Sequence, residues 1–270
     1  MKKNYSIIII IIMVMAVCMG LYLDIGGYKN FHIASSNANY NELSSKAYGW
    51  GLKKVKASEP EVTQKQKDDL EKYNAFYMDN KKPKKLYLTF DEGYENGYTE
   101  VILDFLKEKN VPAAFFITGP YAKKETTLVR RMIDEGHIVG NHTVNHPNLA
   151  KLESAEKIRT ELSNMNNLVS EMYSYDMKYM RPPEGQYSER VLAASNDMGM
   201  RTVFWSFAYI DWQVNNQKGK EYAFGEVTKY LHDGAVILLH AVSKDNAEAL
   251  GDIIDYARAQ GYEFASLDEI

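Results

Sequence analysis

The chemistry of this sequence begins at Asp91 and Glu92, two adjacent carboxylates that follow the apolar run Leu86–Phe90. Such a run is typical of a buried strand, and Gly93 lets the chain turn after it. Acidic side chains at the carboxyl end of a buried parallel strand lie where α/β barrels hold their catalytic groups. On their own, these residues fit a solvated acidic turn equally well.

Two histidines, His142 and His146, follow the strand candidate Ile138–Gly140. Imidazoles four residues apart on a helical turn point the same way and can share a metal ion. With one carboxylate from Asp91 or Glu92 and a water, they would form a catalytic set of the zinc type. The spacing alone is a weak signal, because solvated or hydrogen-bonded histidines are common.

Three further reactive side chains follow later strand candidates. Arg181 precedes two prolines and can clamp a carboxylate. Asp211 follows the run Thr202–Trp205, and His240 ends the run Ala235–Leu239. A histidine at the end of an apolar strand, oriented by an aspartate, is suited to general acid catalysis. Each of the three, taken singly, also fits a structural role.

Alternating strand and helix signals from residue 84 onward must position these groups. The strand candidates are Leu86–Phe90, Ala113–Ile117, Ile138–Gly140, Lys178–Met180, Thr202–Trp205, Ala235–Leu239 and Glu263–Ala265. The helix candidates are Tyr98–Lys109, Thr126–Glu135, Ser154–Met172, Ser188–Met198, Glu221–Leu231 and Asn246–Gln260. Repeated βα units predict an α/β fold with a parallel sheet. Seven strands are few for a regular eight-stranded barrel, so a smaller or distorted barrel is expected.

The N-terminus predicts export. Lys2 and Lys3 precede the uncharged, apolar run Ile7–Leu23, so we expect residues 1–23 to be a signal anchor or signal peptide. A clear small-residue cleavage site is missing, which favours the retained anchor. Cys18 is the only cysteine, which excludes an internal disulfide and a cysteine-ligated metal site in the body of the chain.

Composition changes twice before the βα units begin. Residues 24–46 are rich in Asn, Ser and Gly and predict a flexible tether. Residues 47–84 hold the aromatic segments around Trp50 and Tyr73–Tyr77, so we expect an arm, with a helix near Gln64–Lys72, that packs on the main domain. The net charge of −4 and a pI near 5.9 give no reason to expect a nucleic-acid partner.

The order of these motifs resembles that of the polysaccharide deacetylases, the NodB-homology enzymes of carbohydrate esterase family 4. The matching motifs are Thr89–Gly93 (T-F-D-E-G), His142–Pro147 (H-T-V-N-H-P), Arg181–Gly185 (R-P-P-E-G), Asp211–Trp212 (D-W) and Leu238–His240 (L-L-H). Segments Tyr94–Thr99 and Ile210–Gly219, and the aromatic arm, are similar to the delta-lactam-biosynthetic de-N-acetylases of spore-forming bacteria. The resemblance covers about residues 85–270. It implies a distorted (β/α)7 barrel, which agrees with the seven strand candidates.

The resemblance implies a base and a metal site. Asp91 matches the catalytic base that deprotonates a metal-bound water, and Arg181 the residue that tethers this base. His142 and His146 match two ligands of a divalent metal ion, zinc or another first-row metal. Glu92 stands where the family usually has an aspartate as third ligand. Its longer side chain leaves two possibilities open, a shifted metal geometry or a site with two histidines and waters.

The resemblance also implies an acid and a substrate pocket. His240 matches the general acid that protonates the leaving amine, and Asp211 the group that tunes it. The backbone N–H near Glu184 matches a donor to the oxyanion, although the family usually has tyrosine at this position. Trp212 and Leu238 match residues that line the acetyl pocket.

The implied function is removal of the acetyl group from N-acetylmuramic acid in peptidoglycan, a step toward muramic delta-lactam in spore cortex. It implies glycan strands as substrate, a monomer, and an extracytoplasmic site, with the forespore intermembrane space as one setting. Three alternatives stay open. They are deacetylation of another N-acetylated glycan such as a GlcNAc polymer, a non-catalytic wall-binding module, and a glycoside hydrolase that uses Asp91 with Glu95 or Glu184.

Overall fold

The protein, studied as a computed structural model, is described for residues 40–270. The predicted signal segment at residues 1–23 and most of the predicted tether therefore lie outside the described residues. Within residues 40–270, no helix has the length and apolar character needed to span a membrane.

A curled parallel sheet forms the centre of the fold. Its strands are β4 (Lys85–Glu92), β5 (Ala113–Ile117), β6 (Ile138–Asn141), β7 (Tyr179–Met180), β9 (Arg201–Thr202), β10 (Ala235–His240) and β11 (Glu263–Phe264). They lie in the order β10, β4, β5, β6, β7, β9, and β11 pairs with the first residues of β4. All seven predicted strands are present, and the prediction of an α/β fold with a parallel sheet is confirmed.

Helices alternate with these strands, as predicted. They are α1 (Gln64–Lys72), α2 (Thr99–Glu108), α3 (Gly119–Lys124), α4 (Thr126–Asp134), α5 (Ala155–Tyr173), α6 (Glu189–Asp197), α7 (Lys220–Lys229) and α8 (Lys244–Ala259). Serine side chains cap three of them, since Ser154, Ser188 and Ser243 each accept a hydrogen bond from a backbone N–H in the first turn. The short helix α3 follows Thr118 directly and was not predicted.

Apolar side chains on both faces of the sheet bury these strands from solvent. Every residue of β5 is buried, and the ring of Phe115 stacks on that of Phe90 at a centroid distance of 5.1 Å. A strand buried on both faces must carry a continuous apolar run, which explains why the runs in the sequence located the strands well. Polar side chains in these strands are confined to their ends and to Thr89.

The segment after β9 departs from the prediction. The run Thr202–Trp205 was expected to be one strand, but regular pairing stops at Thr202. Single parallel bridges continue it, from Val203 to Phe76 and from Phe207 to Ile237 in β10. The chain thus crosses from the β9 edge of the sheet toward the β10 edge, which curls the sheet and gathers the carboxyl ends of its strands on one side.

The aromatic arm contains three short strands, β1 (Tyr48–Gly49), β2 (Lys53–Val55) and β3 (Ser58–Glu61), and its Phe76 N–H donates to the carbonyl of Thr202 in β9 at 3.0 Å. Strand β1 pairs antiparallel with β8 (Gln186–Tyr187), and β2 pairs with β3. Trp50 is buried, stacks on Phe204 at 4.6 Å, and donates its indole N–H to the carbonyl of Trp205 at 2.8 Å. Helix α1 begins and ends where the sequence predicted it.

Candidate active site

Strand register brings the chemical motifs together. In the pairing of β10 with β4, His240 lies opposite Asp91. In the pairing of β6 with β7, Asn141 lies opposite Met180, so the residues that follow, His142 and Arg181, leave the sheet side by side. These are carboxyl ends of parallel strands, the edge at which such folds place reactive groups.

A cavity of about 1060 Å³ opens over this edge. Seven of the ten site residues named from the sequence line it, namely Asp91, His142, His146, Glu184, Trp212, Leu238 and His240. Arg181 and Asp211 are buried and contact two of these lining residues from behind. Glu92 does not line the cavity.

Asp91 is held by Arg181. Its Oδ1 atom accepts a hydrogen bond from Arg181 Nη1 at 2.8 Å. The guanidinium is fully buried, donates to Thr89 Oγ1 and to the carbonyls of Val203 and Phe204, and lies over an aromatic ring. Burial would raise the pKa of Asp91, but the interactions with Arg181, His142 and His240 together outweigh burial and lower that pKa below its usual value. Asp91 is therefore an ionised carboxylate that faces the cavity, as a general base requires.

His142 presents an unprotonated nitrogen to Asp91. Its Nδ1 atom lies 2.8 Å from the carbonyl oxygen of Arg181, and since a carbonyl only accepts, Nδ1 carries the proton. The Nε2 atom is then a lone-pair donor, 3.6 Å from Asp91 Oδ2. Burial lowers the pKa of His142 to about 4, so the ring is neutral at pH 7.

His146 lies beside His142, with the ring centroids 4.9 Å apart. The expected helical turn is absent, which corrects the reasoning from their spacing. Residues 142–148 form an irregular loop, in which Thr143 and His146 have left-handed φ angles of 69° and 55°. The hydroxyl of Thr143 accepts the backbone N–H of His146 at 2.9 Å and closes the loop. The two rings meet through this local turn rather than through helical periodicity.

His240 is bound twice by Asp211. The Nδ1 atom lies 2.7 Å from Asp211 Oδ1, and the backbone N–H of His240 donates to Oδ2 at 2.8 Å. Burial would lower the pKa of His240, but the Asp211 carboxylate outweighs burial and raises that pKa above its usual value. The Asp211 carboxylate therefore favours the protonated imidazole, the form that a general acid needs.

Glu92 does not join the two histidines. Neighbouring residues of a strand point to opposite faces, so the side chain of Glu92 points away from that of Asp91. It is fully buried, and neither carboxylate oxygen has a hydrogen-bond partner. Burial, with the nearby charges of Glu95 and Asp91, raises the pKa of Glu92 well above its usual value. The expectation that Glu92 supplies a third metal ligand therefore has no support in this arrangement.

Glu95, one of two carboxylates that a glycoside hydrolase would pair with Asp91, is engaged elsewhere. Its Oε1 atom accepts the backbone N–H groups of Gly97 and Tyr98 at 2.5 and 2.8 Å, ahead of helix α2. It is not among the residues that line the cavity. Only Glu184, of the two, shares the cavity with Asp91.

The three residues expected to bind substrate lie around the cavity. Glu184 is exposed, with a left-handed φ of 59°. Trp212 is 49% exposed, and its ring lies 5.4 Å from that of His240. Leu238 is buried two residues before His240 in β10, on the same face of the strand. An apolar floor and an exposed indole suit a small acyl group and a sugar ring.

Sequence reasoning missed two residues that support the catalytic pairs. Thr89 Oγ1 accepts from Arg181 Nη2 at 3.0 Å and donates to the carbonyl of Ile237 at 2.7 Å. Asn246 Nδ2 donates to Asp211 Oδ2 at 2.6 Å. Thr89 could have been found, because it lies two residues before Asp91 and so shares its face of β4. Asn246 carries no such signal, because helix α8 brings it to the site.

The two histidines fit a divalent ion as part of its ligand set. The lone pair of His142 Nε2 is fixed by the bond at Nδ1, which is the usual support of a metal-ligating histidine. Within residues 40–270, however, no group of three or more His, Cys, Asp or Glu side chains has the geometry of a metal site. A metal here would be completed by water or substrate rather than by Glu92.

Comparisons with known proteins identify the family of this chain. The family model for polysaccharide deacetylases matches residues 78–203. The chain belongs to the polysaccharide deacetylases, carbohydrate esterase family 4. It is a homologue of the Bacillus subtilis peptidoglycan-N-acetylmuramic acid deacetylase PdaA, with 46% identity over 240 residues that make up 88% of this chain and 91% of the relative.

Comparison with solved structures also identifies family 4 carbohydrate esterases. The structure of Bacillus subtilis PdaA, a family 4 carbohydrate esterase, superposes with a TM-score of 0.81 over 84% of this chain and 97% of that one, at 46% identity. A family 4 carbohydrate esterase from Bacillus anthracis superposes with a TM-score of 0.71 at 43% identity, over the same shares. A Bacillus anthracis family 4 pseudoenzyme, BA3943, is more distant, with 28% identity, a TM-score of 0.67, and 72% of this chain and 68% of that one covered.

Proposed function

We propose that the protein is a peptidoglycan deacetylase that removes the acetyl group from N-acetylmuramic acid. One observation carries the proposal: Asp91, held by Arg181, and His240, held by Asp211, lie opposite each other on neighbouring strands and line one cavity. A base and an acid with separated pKa values are what amide hydrolysis needs. Similarity to PdaA along nearly its whole length supports the muramic acid substrate.

Asp91 acts on the attacking water. Its carboxylate takes a proton from water as the water oxygen forms a bond to the acetyl carbonyl carbon. Arg181 holds Asp91 Oδ1 at 2.8 Å, which leaves Oδ2 to accept the proton. Because Arg181 is itself buried and bonded to the backbone, the base cannot rotate away from the cavity.

His240 acts on the leaving amine. When the carbon–nitrogen bond breaks, Nε2 of the imidazolium gives its proton to the amide nitrogen, which leaves as a free amine, and the acyl part leaves as acetate. The carboxylate of Asp211 holds Nδ1 and stabilises the imidazolium before transfer. The exposed turn at Glu184 offers a backbone N–H to the oxyanion, a contribution of about 3 kcal/mol for one such donor.

A divalent metal is part of the proposal, held by His142 and His146. When bound, it would polarise the acetyl carbonyl and lower the pKa of the attacking water. Its identity, zinc or another first-row metal, is left open by a ligand set of two imidazoles.

The product suggests a setting. Deacetylated muramic acid carries a free amine beside its lactyl carboxylate, and the two can close to muramic delta-lactam, as in spore cortex. The proposal places the protein outside the cytoplasm, as a monomer acting on glycan strands and attached to the membrane through residues 1–23. These assignments rest on the similarity to PdaA and on the sequence of the N-terminus.

Two observations favour a second candidate, a wall-binding module without turnover. Within residues 40–270, no His, Cys, Asp or Glu completes a group of three metal ligands with the two histidines, and the chain is similar to a family 4 pseudoenzyme. Against it, both the base and the acid are present with their supporting partners.

The experiment is incubation of purified protein with peptidoglycan whose stem peptides have been removed. Deacetylation predicts released acetate and muramic residues that have lost the acetyl mass. Shorter glycan strands without acetate would indicate a glycoside hydrolase. Sedimentation with the glycan, without either product, would support the binding module and overturn the proposed enzyme.

A further inference from the structure

Lys218 places a cation at the wall of the cavity. It lines the same cavity as Asp91 and His240. Its Nζ atom lies 4.5 Å from the ring centroid of Tyr222 and 3.4 Å from the hydroxyl of that residue. Lys54, which also lines the cavity, already pairs with Glu226 at 3.4 Å. Among the ion pairs within residues 40–270, none includes Lys218.

The backbone of Lys218 is fixed on the acid side of the site. The N–H groups of Lys218 and Gly219 both donate to Asp245 Oδ2 at 2.7 Å. Asp245 is buried, and the next residue, Asn246, donates to the same Asp211 that holds His240. Hydrogen bonds to two adjacent residues, Asp245 and Asn246, therefore link the backbone of Lys218 to the pair of Asp211 and the general acid.

Muramic acid has an anionic group next to the acetamido group that is hydrolysed. In muramic acid the lactyl ether on C3 is adjacent to the acetamido group on C2. When the amide nitrogen lies at His240, the lactyl carboxylate must lie nearby on the cavity wall. It is charged only when no stem peptide is attached, because a stem peptide converts it to an amide. Glu184, of like charge, would repel it at its own position on the wall.

We propose that Lys218 is the side chain that binds the free lactyl carboxylate of the muramic acid residue. The inference rests on the proposed deacetylase function and names the substrate group that one further side chain reads. An exposed lysine contributes little to binding, so the expected effect is about fivefold in KM.

Steady-state acetate release from two glycans tests this role. One carries free lactyl carboxylates, and the other is the same glycan with those carboxylates converted to methylamides. The wild type should show a KM about fivefold lower for the free form, and the difference should shrink at high salt. Lys218→Gln should raise KM for the free form to that of the amide at similar kcat, and Lys218→Arg should keep the preference.

Lys220→Gln is the matched control, because Lys220 lies two residues away and pairs with Asp252 at 2.6 Å without lining the cavity. It should keep the wild-type preference. An undiminished preference in Lys218→Gln, or an equal loss in Lys220→Gln, overturns the proposal while leaving the deacetylase function intact. No acetate from either glycan with the wild type overturns the deacetylase function and this proposal with it.

Discussion

Replacing Asp211 with asparagine tests the acid half of the site. Asp211 Oδ1 lies 2.7 Å from Nδ1 of His240, and Oδ2 accepts from the backbone of His240 and from Asn246. Asparagine keeps the shape but removes the charge, so the main interaction that opposes burial is lost and only the charge of Asp91 still raises the pKa of His240. That pKa, raised in the wild type, should therefore fall in the variant.

The size of the effect follows from the distance. A single opposite charge at this range shifts a pKa by about 1–3 units. Deacetylation needs His240 protonated, so the rate falls as pH rises through its pKa, and the alkaline limb of the pH–rate profile should move to lower pH by that amount. At a pH above the pKa of His240 in both proteins, each unit by which the variant's pKa is lowered should reduce kcat/KM about tenfold. The acid limb, set by Asp91, should stay within about 0.3 unit.

The assay is acetate release from peptide-free peptidoglycan across the pH range. Asp79→Asn is the control, since Asp79 is also a buried aspartate but accepts from the hydroxyl of Tyr87 away from the cavity. That variant should lose stability and keep the wild-type profile. An alkaline limb that stays in place in Asp211→Asn would refute the assignment of His240 as an acid held charged by Asp211.

Three further variants test other parts of the structure. Arg181→Met leaves the buried carboxylate of Asp91 unpaired, and should lower the free energy of unfolding in urea by about 3–5 kcal/mol; a loss below 1 kcal/mol (roughly) would contradict the burial of this pair. Gly140→Ala places a methyl group 2.5 Å from the ring of Phe116, and should cost about 1–3 kcal/mol in the same measurement; no loss would mean that the strands can separate. Glu92→Gln removes a buried carboxyl whose pKa in the folded protein is raised. In the wild type this carboxyl destabilises the fold increasingly as pH rises above its pKa in the unfolded chain, so the variant should have a higher melting temperature at pH 7. A fall in bound metal, measured by elemental analysis, would return Glu92 to the ligand set.

The positions of the strands could be predicted from the sequence because the strands are buried on both faces. Runs such as Ala113–Ile117 admit no polar residue, so the run and the strand have the same ends. The run Thr202–Trp205 was misread for the same reason, because its residues are buried among the arm and β10 without regular pairing. An apolar run in the sequence indicates that a segment is buried, whereas strand pairing depends on which segment lies next to it in the fold.

Part of the candidate site could be predicted from the sequence. Carboxyl-end placement brought Asp91 and His240 together as expected. The contact between His142 and His146 was expected from helical spacing but arises from two left-handed residues, which no spacing rule reports. Glu92 was considered as a ligand because it stands where the resembling family has its second aspartate, whereas strand alternation directs its side chain to the face opposite Asp91. Asn246 reaches Asp211 across 35 residues of chain, a relation that only the tertiary fold creates.

The most direct measurement is acetate release by wild type and Asp91→Asn from the same peptide-free peptidoglycan. Asparagine keeps the shape of the side chain beside Arg181 but cannot take a proton. Release by the wild type and a loss of about 100-fold to 10,000-fold in the variant, with glycan binding retained, is the expected result. Equal release by both proteins would contradict the claim that Asp91 is the base of an N-acetyl hydrolase.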